Sequence, residues 1–174
     1  MIKIEKGLYF AYGSNMDKIQ MAERCRTAKV VGTVHLEGYN LAFRDNGGGY
    51  GVATILPGPG CVEGVLWSLG KADERNLDHY EGYPRLYGKE AVKVTTQDGE
   101  IHEVMAYTMN PPQCQIPAFP SKAYLEGILR GCRQNGISND AVLEAFHRAV
   151  EELYREPEEP VRKRPAPTKN REER

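Results

Sequence analysis

Leu8-Tyr9-Phe10-Ala11-Tyr12-Gly13-Ser14-Asn15-Met16 is the stretch from which the rest of the chain is read. Leu8 to Ala11 carry aromatic and apolar strand formers, so a short buried strand is predicted there. It runs straight into a turn of small residues and then a helix from Met16 to about Arg24. Gly13 can take backbone angles closed to other residues, and Ser14 or Asn15 can cap the helix. A turn of this kind leaves backbone N–H groups pointing outward, an arrangement suited to a carboxylate or an oxyanion. Taken alone, the spacing is also that of an ordinary capped strand-to-helix turn. A second element, Leu77-Asp78-His79-Tyr80-Glu81-Gly82, gives it more meaning.

Outward from the turn, the middle of the chain is rich in strand signals. Val30 to Phe43 reads as one long bent strand or two short ones, broken near Gly32 and Gly38. Asn46 to Gly51 is a glycine-rich connection, and Val52 to Leu56 a strand. Pro57-Gly58-Pro59-Gly60 predicts a turn, and Cys61 to Leu69 the strand after it. A short helix is expected over Lys71 to His79, ending near Gly82. Ala91 to Thr96 and Ile101 to Thr108 form a hairpin about Asp98-Gly99. Two amphipathic helices follow. The first starts after Ser121, carries Tyr124, Leu125, Ile128, Leu129 and Cys132, and stops at Gly136. The second is capped by Ser138 and lines up Val142, Ala145, Phe146, Ala149, Val150 and Leu153 as core.

Length and charge narrow the function class. A chain of 174 residues suits one domain with a real core. From Arg155 to Arg174 there are seven Lys or Arg, five Asp or Glu and four Pro, with no apolar period, so residues 155–174 read as a disordered tail after a domain over 1–154. The 16 basic and 19 acidic residues before it give that domain a charge of −3, which argues against nucleic-acid binding. No stretch approaches the ~20 apolar residues of a membrane span. Met1 to Lys6 lacks the pattern of a secretory signal. Cys25, Cys61, Cys114 and Cys132 form no Cys-x-x-Cys pair, which fits reduced thiols in a cytoplasm.

Most chemical motifs are absent. The glycines at 47–51 lack the Gly-Lys-Ser/Thr ending of a phosphate loop. His35, His79, His102 and His147 show no metal-ligand spacing, so no metal and no cofactor are expected. Ser14 lacks the Gly-x-Ser-x-Gly setting of a serine hydrolase. Glu81 stands apart. It sits at a helix end among Leu77, Tyr80, Tyr83 and Leu86, where a half-buried acid would have its pKa raised by desolvation towards neutrality and could take and return a proton. Taken alone, it reads more simply as a surface glutamate at a helix end.

Tyr9 to Asn15, Gly51-Val52-Ala53-Thr54-Ile55, Gly64-Val65-Leu66-Trp67, Leu77-Asp78 with Glu81-Gly82, Tyr87 and Tyr107 follow one another in the order of the γ-glutamylcyclotransferase family and its AIG2-like relatives. The chain resembles that family over roughly Leu8 to Leu153. The resemblance implies an α+β fold, a small mixed β-barrel flanked by helices. It implies a cofactor-free enzyme that converts a γ-glutamyl amine or amino acid to 5-oxoproline and free amine, with Glu81 as acid/base. Tyr9, Phe10, Ala11, Tyr12, Gly13, Ser14 and Asn15 would hold the γ-glutamyl group, with Tyr87 and Tyr124 as pocket tyrosines. Glu81-Gly82-Tyr83-Pro84 is similar to the bacterial and AIG2-like branch, where the residue two after the tyrosine is often Arg; here it is Lys89. That leaves the released amine open. The alternatives are a non-catalytic module binding γ-glutamyl or other small acids, and a γ-glutamyl hydrolase. The expected partner is a small γ-glutamyl molecule, with no nucleic acid and no membrane, for a monomer or homodimer.

Overall fold

The protein is described over residues 5–155 by a computed structural model. The tail expected from residue 155 lies outside these residues from 156 onward. Five strands close into a barrel in the order β1-β3-β2-β4-β5. They are β1 (Leu8–Ala11), β2 (Lys29–Asp45), β3 (Gly51–Ser68), β4 (Tyr87–Thr96) and β5 (Ile101–Met109). Four α-helices flank them: α1 (Lys18–Arg24), α2 (Lys71–Tyr80), α3 (Lys122–Asn135) and α4 (Asp140–Tyr154). This is the helix-flanked mixed barrel that the resemblance implies.

The long β2–β3 ribbon makes the barrel possible. The two strands pair antiparallel from Lys29↔Ser68 to Asp45↔Gly51, with register shifts at Val30/Gly32 and Glu37/Tyr39. Such irregularities bend a strand and raise its twist, which lets a five-stranded sheet curl onto itself. Only one residue pair, the parallel Tyr9↔Met105, joins β1 to β5. Here the sequence reading is corrected. Pro57-Gly58-Pro59-Gly60 does not end a strand; it lies inside β3, opposite the second register shift, where Glu37 faces Cys61 and Tyr39 faces Pro57. The residues that signal a turn supply a bulge instead, since proline's missing N–H is tolerated where the ladder is interrupted.

β1 crosses β3 closely at Gly64. A Cβ there would stand 2.3 Å from the Ala11 carbonyl oxygen and 2.4 Å from Phe10 Cε2, so no larger residue fits. The interior is filled by fully buried side chains including Phe10, Phe43, Leu36, Val65, Val94 and Val104. Each such Leu- or Phe-sized group contributes about 1.5–3 kcal/mol when fully buried. α3 packs on the turn after β1, and α4 on β2. Val142, Ala145 and Ala149 of α4 are buried as expected, but Leu153 is 42 % exposed. Ser138 contributes to the α4 start through its hydroxyl, which accepts from Asp140 N–H at 3.2 Å, while Asn139 holds the cap position.

The opening helix also differs. Ser14–Met16 forms one separate 3-10 turn, and α1 begins only after Asp17, whose carboxylate accepts from Ile19 N–H at 3.1 Å and is the cap. Ser14 and Asn15 are thereby free for other partners. Gly13 has φ −123°, not a left-handed value. Its lack of a side chain serves proximity, because a Cβ would lie 3.1 Å from Ala53 Cβ. Among the described residues no helix is long and apolar enough to cross a membrane.

Candidate active site

A cavity of about 220 Å³ opens beside the Ser14–Met16 turn. Tyr9, Tyr12, Gly13, Ser14, Asn15, Glu81, Tyr87 and Tyr124, all expected from the sequence, line it. Phe10 and Ala11 do not. Both are fully buried, and strand alternation carries the Phe10 ring away from its neighbour Tyr9. The wall is completed by Asn46, Val52, Ala53, Tyr80, Leu86 and Tyr107.

Glu81 is brought here by the way α2 ends. It occupies the C-cap, with its N–H on Leu77 O at 2.8 Å, and Gly82 turns the chain away with φ +64°. Only glycine takes that angle cheaply. Leu77, fully buried, anchors the last helical turn, while Tyr83, which the sequence places beside Glu81, points outward and is 41 % exposed.

The side chain that meets Glu81 is Asn15. Its Nδ2 donates to Glu81 Oε1 at 2.9 Å and to the Tyr9 hydroxyl at 3.0 Å. Its carbonyl oxygen accepts from Arg24 Nη1 at 2.6 Å. The Asn15 backbone is fixed too, its carbonyl accepting from Trp67 Nε1 at 2.9 Å. Burial pushes the Glu81 carboxyl up to about 7, against the opposing pull of Arg24 and of the Asn15 hydrogen bond. Desolvation wins because a single amide donor reaches the carboxylate.

The tyrosines form a stiff, neutral wall. Burial raises the hydroxyl pKa of Tyr9, Tyr12, Tyr87, Tyr107 and Tyr124, so all stay protonated near neutrality. Tyr12 donates to the Tyr107 carbonyl, and Tyr107 to Asp78 Oδ1 at 2.5 Å. Tyr87 and Tyr124 share one peptide: Tyr87 donates to Ala53 O at 2.5 Å, and Tyr124 accepts from Ala53 N–H at 2.9 Å.

The first hydrogen bond inside the Ser14–Met16 turn is Met16 N–H to Gly13 O at 3.0 Å. The turn gives the amides of Gly13, Ser14 and Asn15 no acceptor of its own. Ser14 has no histidine near it in the cavity wall; its hydroxyl accepts from Arg24 Nη1 at 3.2 Å. Among the described residues, no three His, Cys, Asp or Glu side chains are grouped to hold a metal.

Lys89 does not reach the cavity wall. It stands behind Tyr107, paired with Asp78 at 2.8 Å and Glu74 at 2.9 Å. Sequence reasoning missed Arg24, Tyr80 and Asp78. Arg24 carries a faint signal, a cation one α-helical turn after Gln20 on the helix that leaves the Ser-Asn turn; Asp78 sits next to Leu77 in the quoted second element without a role.

Known proteins similar to this chain point to one family. A family model described as gamma-glutamyl cyclotransferase, AIG2-like, matches residues 9–126. The chain is 33 % identical to gamma-glutamylcyclotransferase of Homo sapiens over 141 residues, which is 76 % of this chain and 73 % of that protein. With gamma-glutamylcyclotransferase of Mus musculus it shares 31 % over 144 residues, 78 % of this chain and 75 % of the relative. A solved structure of a gamma-glutamyl cyclotransferase is 29 % identical with a TM-score of 0.66, covering 88 % of this chain and 90 % of that one. The chain belongs to the gamma-glutamylcyclotransferase family and is one of its enzymes.

Proposed function

We propose that this enzyme converts a γ-glutamyl amine or γ-glutamyl amino acid to 5-oxoproline and the free amine, with Glu81 moving the proton. One observation carries the reading: a carboxyl pushed up to about 7 at the wall of a cavity, held there by a single amide. The substrate's α-amino group enters as an ammonium, with a pKa of about 8. An ordinary glutamate, at about 4.3, is a poor base towards it; Glu81 is far better matched. Its carboxylate takes a proton from the ammonium, and the freed lone pair attacks the γ-carbonyl carbon of the same molecule. The five-membered ring closes as the carbonyl oxygen gains charge. The free amides of the turn are suited to stabilise that oxyanion. The protonated carboxyl then returns its proton to the departing nitrogen as that carbon–nitrogen bond breaks. The carboxylate so regenerated takes the second proton from the ring nitrogen and passes it to solvent, leaving the neutral lactam.

Both reacting groups sit on one molecule, so the walls chiefly have to hold the conformer in which they meet. The rigid tyrosines suit that task. The residues proposed to touch the γ-glutamyl group are those of the turn, Tyr9 and Tyr12 to Asn15, with Tyr87 and Tyr124 opposite.

The test is a panel of γ-glutamyl amines, γ-glutamyl amino acids and γ-glutamyl peptides, with the products identified. 5-Oxoproline is expected, lost in Glu81→Gln at unchanged fold. Free glutamate would replace this reading with hydrolysis, and an absence of turnover would replace it with a binding module. The pH profile gives a second check. The base works ionised, so kcat/KM is expected to fall tenfold per unit below about pH 7. A flat profile from pH 4 to 8 would remove Glu81 from the base role.

A further inference from the structure

Arg24 does not line the active-site cavity, yet it touches both residues of the turn that face the substrate space. Its Nη1 donates to Asn15 Oδ1 at 2.6 Å and to Ser14 Oγ at 3.2 Å. The guanidinium is itself held rigidly. Nη2 donates to Gln20 Oε1 at 2.6 Å and to the Tyr80 hydroxyl at 2.7 Å, and its carbon lies 3.6 Å from the centre of the Tyr80 ring. Tyr80 immediately precedes Glu81. The same group therefore grips the turn on one side and the end of α2 on the other.

An asparagine amide has an accepting end and a donating end, and an arginine can only donate. With Arg24 in place, the Asn15 oxygen must face the guanidinium and its NH2 must face Glu81. Were the amide rotated by half a turn, its oxygen would meet the Glu81 carboxylate and its NH2 the guanidinium, both repulsive. We infer that Arg24 is a positioning residue for the cyclisation, acting through Asn15: it fixes the amide that holds Glu81 and places positive charge behind that carboxylate. The inference rests on the proposed role of Glu81 as the base.

The surroundings of Glu81 make Arg24 a clean variable. Tyr9, Tyr12, Tyr87 and Tyr107 from the barrel and Tyr124 from α3 are kept neutral by burial. On α2, Tyr80 is bound to Arg24 itself, and Asp78 is paired with Lys89. His79 is exposed on the same helix, and the comparison is made in a His79→Gln background so that its imidazole plays no part in it. Lysine at position 24 would keep a charge but not the planar fork that serves Asn15, Gln20 and Tyr80 together.

The experiment compares the parent with Arg24→Gln and Arg24→Lys by two readouts. One is the pH profile of kcat/KM for 5-oxoproline formation. The other is the titration of the Glu81 carboxyl by 13C NMR, assigned against Glu81→Gln. In Arg24→Gln the acidic limb and the NMR midpoint are expected to rise together by roughly half to one pH unit, the effect of losing one nearby positive charge. The loss of activity is then several-fold greater at pH 6 than at pH 8.5. Arg24→Lys should keep the limb near the parent's while losing several-fold in kcat at every pH. If both variants scale the parent profile without moving it, and the NMR midpoint stays put, Arg24 is merely structural and the inference fails. If the parent makes no 5-oxoproline, the proposed function fails, but the NMR titration, which needs no turnover, still decides Arg24. Should Arg24→Gln not fold, the same NMR comparison with Arg24→Met carries the test.

Discussion

Two carboxylates flank the Ser14–Met16 turn, and their surroundings drive them in opposite directions. Asp17, at its C-terminal end, is fully buried, and burial pushes its carboxyl up. That effect is overcome by Arg130, Gln20 and the Ile19 amide, which bring it down to about 2. Gln134 Nε2 adds a further bond at 3.1 Å, so α1 and α3 are sewn together at this one side chain. Glu81, on the cavity side, also starts from a desolvation penalty, but it has one amide donor and a guanidinium held off behind that amide; it rises to about 7. Burial alone therefore does not decide a carboxylate's state. The number of donors reaching it does, and the fold spends its donors on the residue that holds helices together while withholding them from the residue in the cavity.

The contrast breaks most visibly in kinetics. Glu81→Gln keeps the size and the Asn15 contact of the side chain but cannot accept a proton from substrate. Turnover is expected to fall by about 10²–10⁴-fold, the usual weight of general acid–base catalysis. The variant's thermal unfolding should show no loss of stability at pH 8.

Asp17→Ala should do the reverse, and with a large structural effect. It removes a helix cap, worth about 1 kcal/mol, and leaves half-buried donors from Gln20 and Gln134 without this acceptor. A stability loss of about 2–4 kcal/mol in urea unfolding is expected. Asp17→Asn, which still accepts at the cap, should lose less. Equal stability of the parent and Asp17→Ala would show that the helix junction does not depend on this group.

The same pair gives stability a dependence on pH with two opposite signs. Asp17 has a folded pKa below the unfolded value of about 3.9, so its contribution is present above pH 4 and is lost as pH falls towards 2. Glu81 has a folded pKa above the unfolded value of about 4.3, so its protonated form is favoured by folding. Its contribution is complete below pH 4.3 and is lost as pH rises through 7. The parent should therefore lose on the order of 2 kcal/mol between pH 4.5 and 7.5, a slope that Glu81→Gln flattens. A parent curve parallel to the variant's in that window would mean that Glu81 is not desolvated.

How much of this contrast the sequence carries follows from what kind of signal each part leaves. Glu81 is legible only in company: one residue before a helix-ending glycine it could equally be a surface group, and it is the order of motifs shared with the family that singles it out. The turn is legible from its small residues, and the barrel from its family order of strand motifs. Asp17 is not, because a cap needs only a position at a helix start, and Ser14 and Asn15 stand three and two residues earlier with equal credentials. What overrides them is distant: Arg130 and Gln134 on α3 claim Asp17, while Glu81 and Arg24 claim Asn15. Pro57 to Gly60 misled for a similar reason. Local residues specify a break in the ladder, but whether the chain reverses there or bulges is decided by the partner strand, and β2 continues past it.

The smallest expected effect lies between these extremes, at the two tyrosines on Ala53. Tyr124 accepts from Ala53 N–H and Tyr87 donates to Ala53 O, so each hydroxyl already has a backbone partner before any substrate enters. Tyr124→Phe removes one neutral hydrogen bond, worth about 1 kcal/mol when the orphaned group stays dry. Ala53 lines the cavity, however, so water can reach its freed N–H and the loss should sit at the low end, about 0.5 kcal/mol. Tyr87 is buried, only 4 % exposed, and its loss should cost more, nearer 1.5 kcal/mol. If the two Phe variants reverse that order, solvent access to the Ala53 peptide does not set the cost. If Tyr124→Phe instead lowers kcat/KM by more than tenfold at unchanged stability, its hydroxyl acts on substrate rather than on the wall, and donor allocation in the cavity extends beyond Glu81.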